Sequence, residues 1–330
     1  MRRRDFITLV GGAAAAWPLA ARAQQGERVR RIGLLMVYAE SDPQGQARIA
    51  AIRNGLQQLG WAEGRNLRID YRWGALDAVS RQQFAKELVA LQPDLILSQN
   101  TPTTASLLEQ TRTIPIIFMI VSDPVGSGFV ASLSRPGSNV TGFINMEGSI
   151  AGKWLELLKE IAPRVTQVAF LFNPTTATYA EIYMNPFKVA ARSLGVNAIA
   201  APVHNKAELE SVIAAQGREA NGGLIVMPDS FTGVHRAVIT ALAARYRLPA
   251  VYPYRYFTEL GGLLSYGNDA VDNYRRAASY ADRILKGEKP SELPVQVPVR
   301  FELVINLKTA KALGLDVPWF LQQRADEVIE

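Results

Sequence analysis

Polar residues suited to holding a small molecule recur just after short apolar runs. Gln99-Asn100-Thr101-Pro102-Thr103-Thr104 follows the run Asp94–Ser98. A proline that lacks an N–H sits well at an early helical position, so the next backbone N–H groups are free at the positive end of the helix dipole. With threonine hydroxyls beside them they offer a seat for a carboxylate or phosphate; the same residues also read as a plain helix cap. Asn100, Thr101, Thr103 and Thr104 are the candidate residues of this seat. Val121-Ser122-Asp123-Pro124 and Pro228-Asp229-Ser230 each place a carboxylate in a comparable loop, where Asp123 and Asp229 either pair with an ammonium group or cap the next helix. Tyr38-Ala39-Glu40-Ser41-Asp42 contributes Tyr38 and Ser41, and Asn173-Pro174-Thr175-Thr176 contributes Asn173 and Thr175, with Tyr179 just behind. Tyr252, Tyr254 and Tyr256 alternate, which makes one face of that segment aromatic. Tyr254 is the candidate to stack on a ligand, and packing beneath a hinge is the other use of such a face.

Other chemistries are excluded or weakly supported. There is no cysteine, which removes disulfides, thiolate catalysis, cysteine-held metals and lipidation through sulfur. The only histidines are His204 and His235, too few for a histidine metal cluster, and their spacing suggests surface or capping roles. The net charge of +6 includes Arg2, Arg3, Arg4 and Arg22 against Asp5 within residues 1–23. The remaining basic residues are scattered rather than striped, so no nucleic-acid partner is expected. No Walker-type phosphate loop occurs, and Leu263-Leu264-Ser265-Tyr266-Gly267 lacks the first glycine of a nucleophile elbow. Gly126-Ser127-Gly128-Phe129-Val130-Ala131 has dinucleotide-fingerprint spacing, with Glu147 about 20 residues on. Its glycines do not directly follow a strand, and Pro136-Gly137 would break the helix early, so a tight turn and short helix beside a cleft is the expected role. Asp269 and Asp272 stand at helix spacing and read as solvated. No cofactor and no metal are expected.

The elements that must position these residues alternate between strand and helix. Arg31–Val37, Leu67–Tyr71, Asp94–Ser98 and Pro115–Met119 read as strands, the first as a buried parallel one and the second by its alternation. Helical spacing follows at Ile49, Ile52, Leu56 and Leu59, stopped by Gly60, then from a Ser80/Gln83 capping pattern through Phe84, Leu88 and Leu91, and over Thr103–Arg112. The second half repeats the pattern with strands at Val168–Phe172, Val196–Ala200, Gly223–Met227 and Leu248–Val251, and with Asn205/Glu208 capping a helix. Leu194-Gly195-Val196 echoes Leu59-Gly60-Trp61, and Leu248-Pro249-Ala250-Val251 echoes Ile114-Pro115-Ile116-Ile117, at nearly the same offset. These echoes imply two similar βαβ lobes. An amphipathic helix with Ile150, Trp154, Leu157, Leu158 and Ile161 links them, and the tail adds a helix from about Val271 to Lys286, a proline-spaced crossing, a strand at Phe301–Ile305 and a helix from Asn306 to Gly314.

At the N-terminus, Arg2-Arg3-Arg4-Asp5-Phe6-Ile7 precedes an apolar run from Leu9 to Ala20 that ends in Ala21-Arg22-Ala23. A basic head, a short apolar body and a small-residue exit make a signal peptide of residues 1–23. Arg3-Arg4 resembles the twin-arginine export motif. The mature chain is expected to begin near Gln24, to be soluble in the periplasm with no stable membrane insertion, and, with no cysteine, not to be a lipoprotein.

Several segments carry a family resemblance: Ile114–Phe118 into Asp123-Pro124-Val125-Gly126, Ser134-Arg135-Pro136-Gly137-Ser138-Asn139-Val140-Thr141-Gly142, Ile284-Leu285-Lys286-Gly287, and Phe301–Lys311. From about Arg31 onward the chain resembles the ABC transporter substrate-binding proteins of the tryptophan/tyrosine-type group. The resemblance implies a type I periplasmic binding protein fold, with two Rossmann-like α/β lobes, parallel sheets flanked by helices, and three crossings at a hinge. One lobe would comprise 29–146 plus about 267–296, the other 147–266 plus about 297–330. It further implies a non-enzymatic receptor that captures an amino acid or related small carboxylate in the cleft and delivers it to the membrane permease subunits of an ABC importer. An exported cofactor-dependent oxidoreductase and the ligand-sensing subunit of a signalling system are the alternatives.

Overall fold

The computed structural model describes residues 28–330; the expected signal segment, residues 1–23 with Arg3-Arg4, lies outside the described residues. The chain begins with β1 (Arg30–Leu35), α1 (Pro43–Gln58), β2 (Leu67–Arg72), α2 (Ala78–Ala90), β3 (Leu95–Asn100), α3 (Thr101–Gln110), β4 (Ile116–Val121) and β5 (Val140–Ile144). These strands form one parallel sheet in the order β2-β1-β3-β4-β5. The chain then runs through α4 (Ile150–Ile161), β6 (Gln167–Phe172), α5 (Ala180–Ser193), β7 (Asn197–Pro202), α6 (Lys206–Gln216), β8 (Gly222–Val226), α7 (Ser230–Val234), α8 (Arg236–Arg245), β9 (Ala250–Tyr252), α9 (Arg255–Glu259) and β10 (Leu264–Asn268). After α10 (Ala270–Leu285) come β11 (Phe301–Asn306), α11 (Leu307–Ala312), α12 (Trp319–Arg324) and β12 (Glu327–Ile329). The second sheet has the order β12-β11-β10-β9-β8-β6-β7 and is parallel except where β10 meets β11.

The two sequence echoes have structural counterparts. Gly60 and Gly195 both adopt positive φ, +91° and +62°, just past the ends of α1 and α5, a conformation that carries little penalty for glycine. Pro115 and Pro249 each precede a strand, and their carbonyls accept the N–H of Ile96 and of Leu224 at 2.9 Å. The same bond recurs at the same place in both sheets. A proline is tolerated there because its acceptor, not its missing donor, serves the ladder.

The chain passes between the lobes at 145–149, at Asp269 and at 297–300. Asn268 still pairs with Phe301 in the second sheet, so the second passage lies at Asp269. Helix α10 returns to the first lobe, where Tyr274, Ala277, Ala278 and Ala281 join the core of Ile49, Ile52 and Leu56. Its Asn273 amide donates to the carbonyls of Met119 (3.0 Å) and Ile144 (3.1 Å), tying α10 to the ends of β4 and β5.

Some expectations change. Residues after Asp123 form turns rather than a short helix, with Gly128 at φ +71°. Asp123 therefore closes a turn, its Oδ1 accepting the Gly126 N–H at 2.8 Å. Helix α2 is capped by Asp77, which accepts the Ser80 N–H at 2.9 Å, so Ser80 lies inside the first turn. Strands β5, β10 and β12 were not expected. β5 shows why: it carries Gly142, and glycine weakens a strand signal.

That glycine is required. Gly142 has φ +155°, and a Cβ there would lie 2.0 Å from the Phe118 carbonyl oxygen on β4. Gly142→Ala should lower unfolding stability by about 3 kcal/mol, the sum of backbone strain and overpacking, measured by urea titration with an unchanged m-value.

Candidate functional site

The carboxyl ends of strands from both sheets meet around a small cavity of about 20 Å3. From the first lobe come Tyr38 beyond β1, Gln99 and Asn100 ending β3, Ile120 on β4 and Asn145 beyond β5; from the second come Tyr179, Asp229, Ser230, Tyr254 and Tyr256. Strand carboxyl ends are where open parallel sheets leave space and free backbone groups. The cavity has room for little more than a water molecule, because direct contacts join the lobes around it.

Those contacts are specific. Asn100 is the N-cap of α3: its Oδ1 accepts the Thr103 N–H at 3.1 Å, while its Nδ2 donates across the cleft to the Ser230 hydroxyl. The Tyr254 hydroxyl donates to Asn145 Oδ1 at 2.8 Å. Arg236 forms a two-pronged pair with Asp42, Nη1 to Oδ2 at 2.9 Å and Nη2 to Oδ1 at 3.0 Å. The same Asp42 Oδ1 caps α1 by accepting the Gln44 N–H at 2.8 Å. The Arg236 guanidinium also lies 5.8 Å from the Tyr38 ring centre and 5.7 Å from that of Tyr256. A bidentate, partly buried pair is among the stronger charge contacts.

The expected site residues separate into groups. Tyr38, Asn100, Tyr179, Asp229 and Tyr254 line the cavity. Thr101, Asp123 and Thr175 lie outside it, on a groove of about 430 Å3 between the lobes that also touches Tyr179. Ser41 is exposed on its loop. Asn173 is buried in bonds of its own loop, accepting the Thr175 N–H at 2.8 Å and donating to the His204 carbonyl at 3.3 Å.

Thr103 and Thr104 do not face the cavity. Both are fully buried, and each hydroxyl lies 2.8 Å from that of Ser98. The Thr104 hydroxyl donates to the Asn100 carbonyl at 2.7 Å, and Thr103 accepts the Asn100 N–H at 3.0 Å to complete a capping box. Their donors are spent on holding α3 to β3, so the anion seat expected there is corrected to a cap. The expected proline position is correct: Pro102 opens α3.

Asp229 does structural work while lining the cavity. Its Oδ1 accepts the Thr176 hydroxyl and the Phe231 N–H (3.2 Å), and its Oδ2 accepts the Asn173 N–H at 2.9 Å. Burial pushes its carboxyl up to about 6, against the opposing effect of these bonds.

Arg48 is not among the expected site residues. It belongs to the buried stripe of α1 with Gly45, Ile49, Ile52 and Leu56, and a cation inside an apolar stripe was the available signal. It is 1% exposed, its guanidinium lies 4.9 Å from the Tyr38 ring centre and 5.6 Å from that of Tyr274, and its Nε and Nη1 have no hydrogen-bond partner. Gln99, Ser230 and Tyr256 stand in the segments singled out above without being chosen as site residues, and Asn145 and Arg236 are absent from them. Each becomes a site residue only when one lobe faces the other, which spacing along the chain does not encode. Among the described residues no cluster of His, Asp and Glu could hold a metal ion, and no helix is long and apolar enough to cross a membrane.

Comparison with known proteins agrees with this architecture. Residues 36–329 match the profile of the family described as ABC transporter substrate binding protein. A Clostridioides difficile (strain R20291) protein named tyrosine-binding protein is 26% identical over 263 residues, covering 79% of this chain and 74% of that one. The crystal structure of a conserved domain protein from Vibrio cholerae superposes with a TM-score of 0.85 at 28% identity, covering 91% of this chain and 100% of that one. The ABC domain from Streptococcus pneumonia in complex with L-Trp superposes with a TM-score of 0.84 at 26% identity, covering 91% and 99%.

Two outcomes are expected from the geometry. Thr103→Ala with Thr104→Ala should lower unfolding stability by about 2 kcal/mol, through the lost cap and buried hydrogen bonds, while calorimetry finds ligand affinity changed less than about twofold. Asp229 titrates higher in the folded protein than in the unfolded chain. It therefore favours folding most below the unfolded value of 3.8, and this contribution is lost as pH rises through about 6. The Asp229→Asn variant should lack that loss of stability between about pH 4 and 6 in denaturant titrations, leaving a flatter pH profile than the wild type.

Proposed function

The chain belongs to the ABC transporter substrate-binding protein family, and on that premise we propose that it is the exported receptor of an importer. It is a binding protein and not an enzyme. In this reading it captures an amino acid or related small carboxylate between its lobes and presents the closed form to membrane permease subunits. The twin-arginine-like segment at Arg3-Arg4 supports export to the periplasm. The relatives named for tyrosine and bound to L-Trp support an aromatic ligand.

The observation that carries the reading is the cavity itself. Its walls come from both lobes, and the bonds Asn100–Ser230, Asn145–Tyr254 and Asp42–Arg236 join the lobes across it. A binding site that exists only when two bodies meet couples occupancy to shape, because the ligand binds one arrangement better than the other. A permease can then distinguish loaded from empty receptor by shape alone.

A thermal-shift screen of amino acids and small carboxylates, beginning with L-tyrosine and L-tryptophan, identifies the ligand; at 100 times its dissociation constant a ligand stabilises by about 2.7 kcal/mol. Small-angle scattering should then show a smaller radius of gyration at saturation, and an unchanged radius would refute the reading. Gly233 supplies a control. A Cβ there would lie 3.0 Å from the Tyr38 hydroxyl of the facing lobe. Gly233→Leu should fold with a near-wild-type melting temperature, bind at least about tenfold more weakly (1.4 kcal/mol), and show no compaction.

A further inference from the structure

We propose that Arg48 is the anion seat of the cleft, so that the ligand enters with a carboxylate facing α1. This rests on the receptor reading above and adds the chemistry of one end of the ligand. Arg48 lines the cavity, is 1% exposed, and leaves Nε and Nη1 without partners. Among the described residues no carboxylate pairs with it: the nearby Asp42 is engaged with Arg236, and Asp229 is bound by Thr176, Phe231 and Asn173. The guanidinium lies over the rings of Tyr38 and Tyr274, and Tyr254 and Tyr256 line the same cavity. Burial raises the hydroxyls of Tyr254, Tyr256 and Tyr274 well above their usual range, so they are neutral rings at neutral pH and supply no counter-charge.

A guanidinium does not lose its proton in a protein, so burial cannot neutralise it. An isolated buried cation is costly, and the faces of Tyr38 and Tyr274 return only part of that cost. A planar carboxylate supplies the missing partner, since two parallel N–H···O bonds match the fork of the guanidinium. A phosphate dianion fits less well, because one buried cation would leave its second charge unpaired. The aromatic walls then suit an aromatic acid. An amino acid and a simple aryl acid share the carboxylate, and suitable probes separate them.

The experiment uses the mature protein, Arg48→Met, and three probes: L-tyrosine, 3-(4-hydroxyphenyl)propanoate, which lacks the ammonium, and tyramine, which lacks the carboxylate. Without ligand, Arg48→Met should melt about 2 °C or more above the wild type, because an unpaired buried charge is replaced by an apolar chain of similar length. L-tyrosine should stabilise the wild type and tyramine should not. Stabilisation by the propanoate marks the seat as sufficient without an ammonium partner. Affinity of Arg48→Met for any stabilising carboxylate should fall at least about tenfold. A lower melting temperature in ligand-free Arg48→Met would make Arg48 a structural cation and overturn the proposal, as would undiminished affinity of the variant. If tyramine stabilises and compacts the wild type as L-tyrosine does, the receptor reading stands and the anion seat falls. If the wild type is neither stabilised nor compacted by these probes or by any amino acid or small carboxylate of the wider screen, the receptor reading falls and the seat with it.

Discussion

Because the chain crosses between its two sheets at 145–149, at Asp269 and at 297–300, the lobes are tied to each other at three places. The carboxyl ends of both sheets face one another around the cavity. The loops there, which in a single sheet would be solvated caps, become opposite walls of one cleft. Asp42, Asn100, Asn145 and Asp229 show the consequence. Asp42, Asn100 and Asp229 each cap a helix of their own lobe; Asp42, Asn100 and Asn145 reach a partner in the other lobe, and Asp229 lines the cavity between them.

Burial is distributed unevenly over these walls. Most polar atoms near the cavity are matched: Gln99 Oε1 accepts the Val37 N–H at 2.8 Å, and the Tyr179 hydroxyl donates to the Pro228 carbonyl at 2.7 Å. Against this background Arg48 stands out, since folding normally satisfies or solvates such a group. An unmatched guanidinium on the wall of the cleft is the basis of the anion seat proposed above. In the proposed receptor the lobes would supply shape and the aromatic rings apolar area, while the cation would set which end of the ligand turns inward.

Much of the scaffold was legible in the residues. Apolar runs bounded by turns located most strands, Asn205 and Glu208 cap α6 as expected, and the Gly60/Gly195 and Pro115/Pro249 echoes disclosed the repeated lobe. β5 and β10 were obscured by Gly142 and Gly267, whose missing side chains are demanded by close backbone contacts in three dimensions. The site was less legible. Thr103 and Thr104 have the composition of an anion seat and the geometry of a cap, and their bonds to Ser98 and Asn100 distinguish the two. Arg48 and Arg236 were overlooked because scattered arginines are ordinarily surface residues, and it is the opposing wall that makes these two special.

An inter-lobe distance tests most directly whether the lobes close on an anionic ligand. The chain has no cysteine, so Val79→Cys and Thr178→Cys, at exposed positions on opposite lobes near the outer groove, accept spin labels without background. Pulsed electron resonance without ligand should give a long, broad distance distribution. At saturation with a stabilising carboxylate it should collapse to one short, narrow distance, and the amine lacking the carboxylate should leave it broad. Identical distributions with and without bound carboxylate would contradict the account.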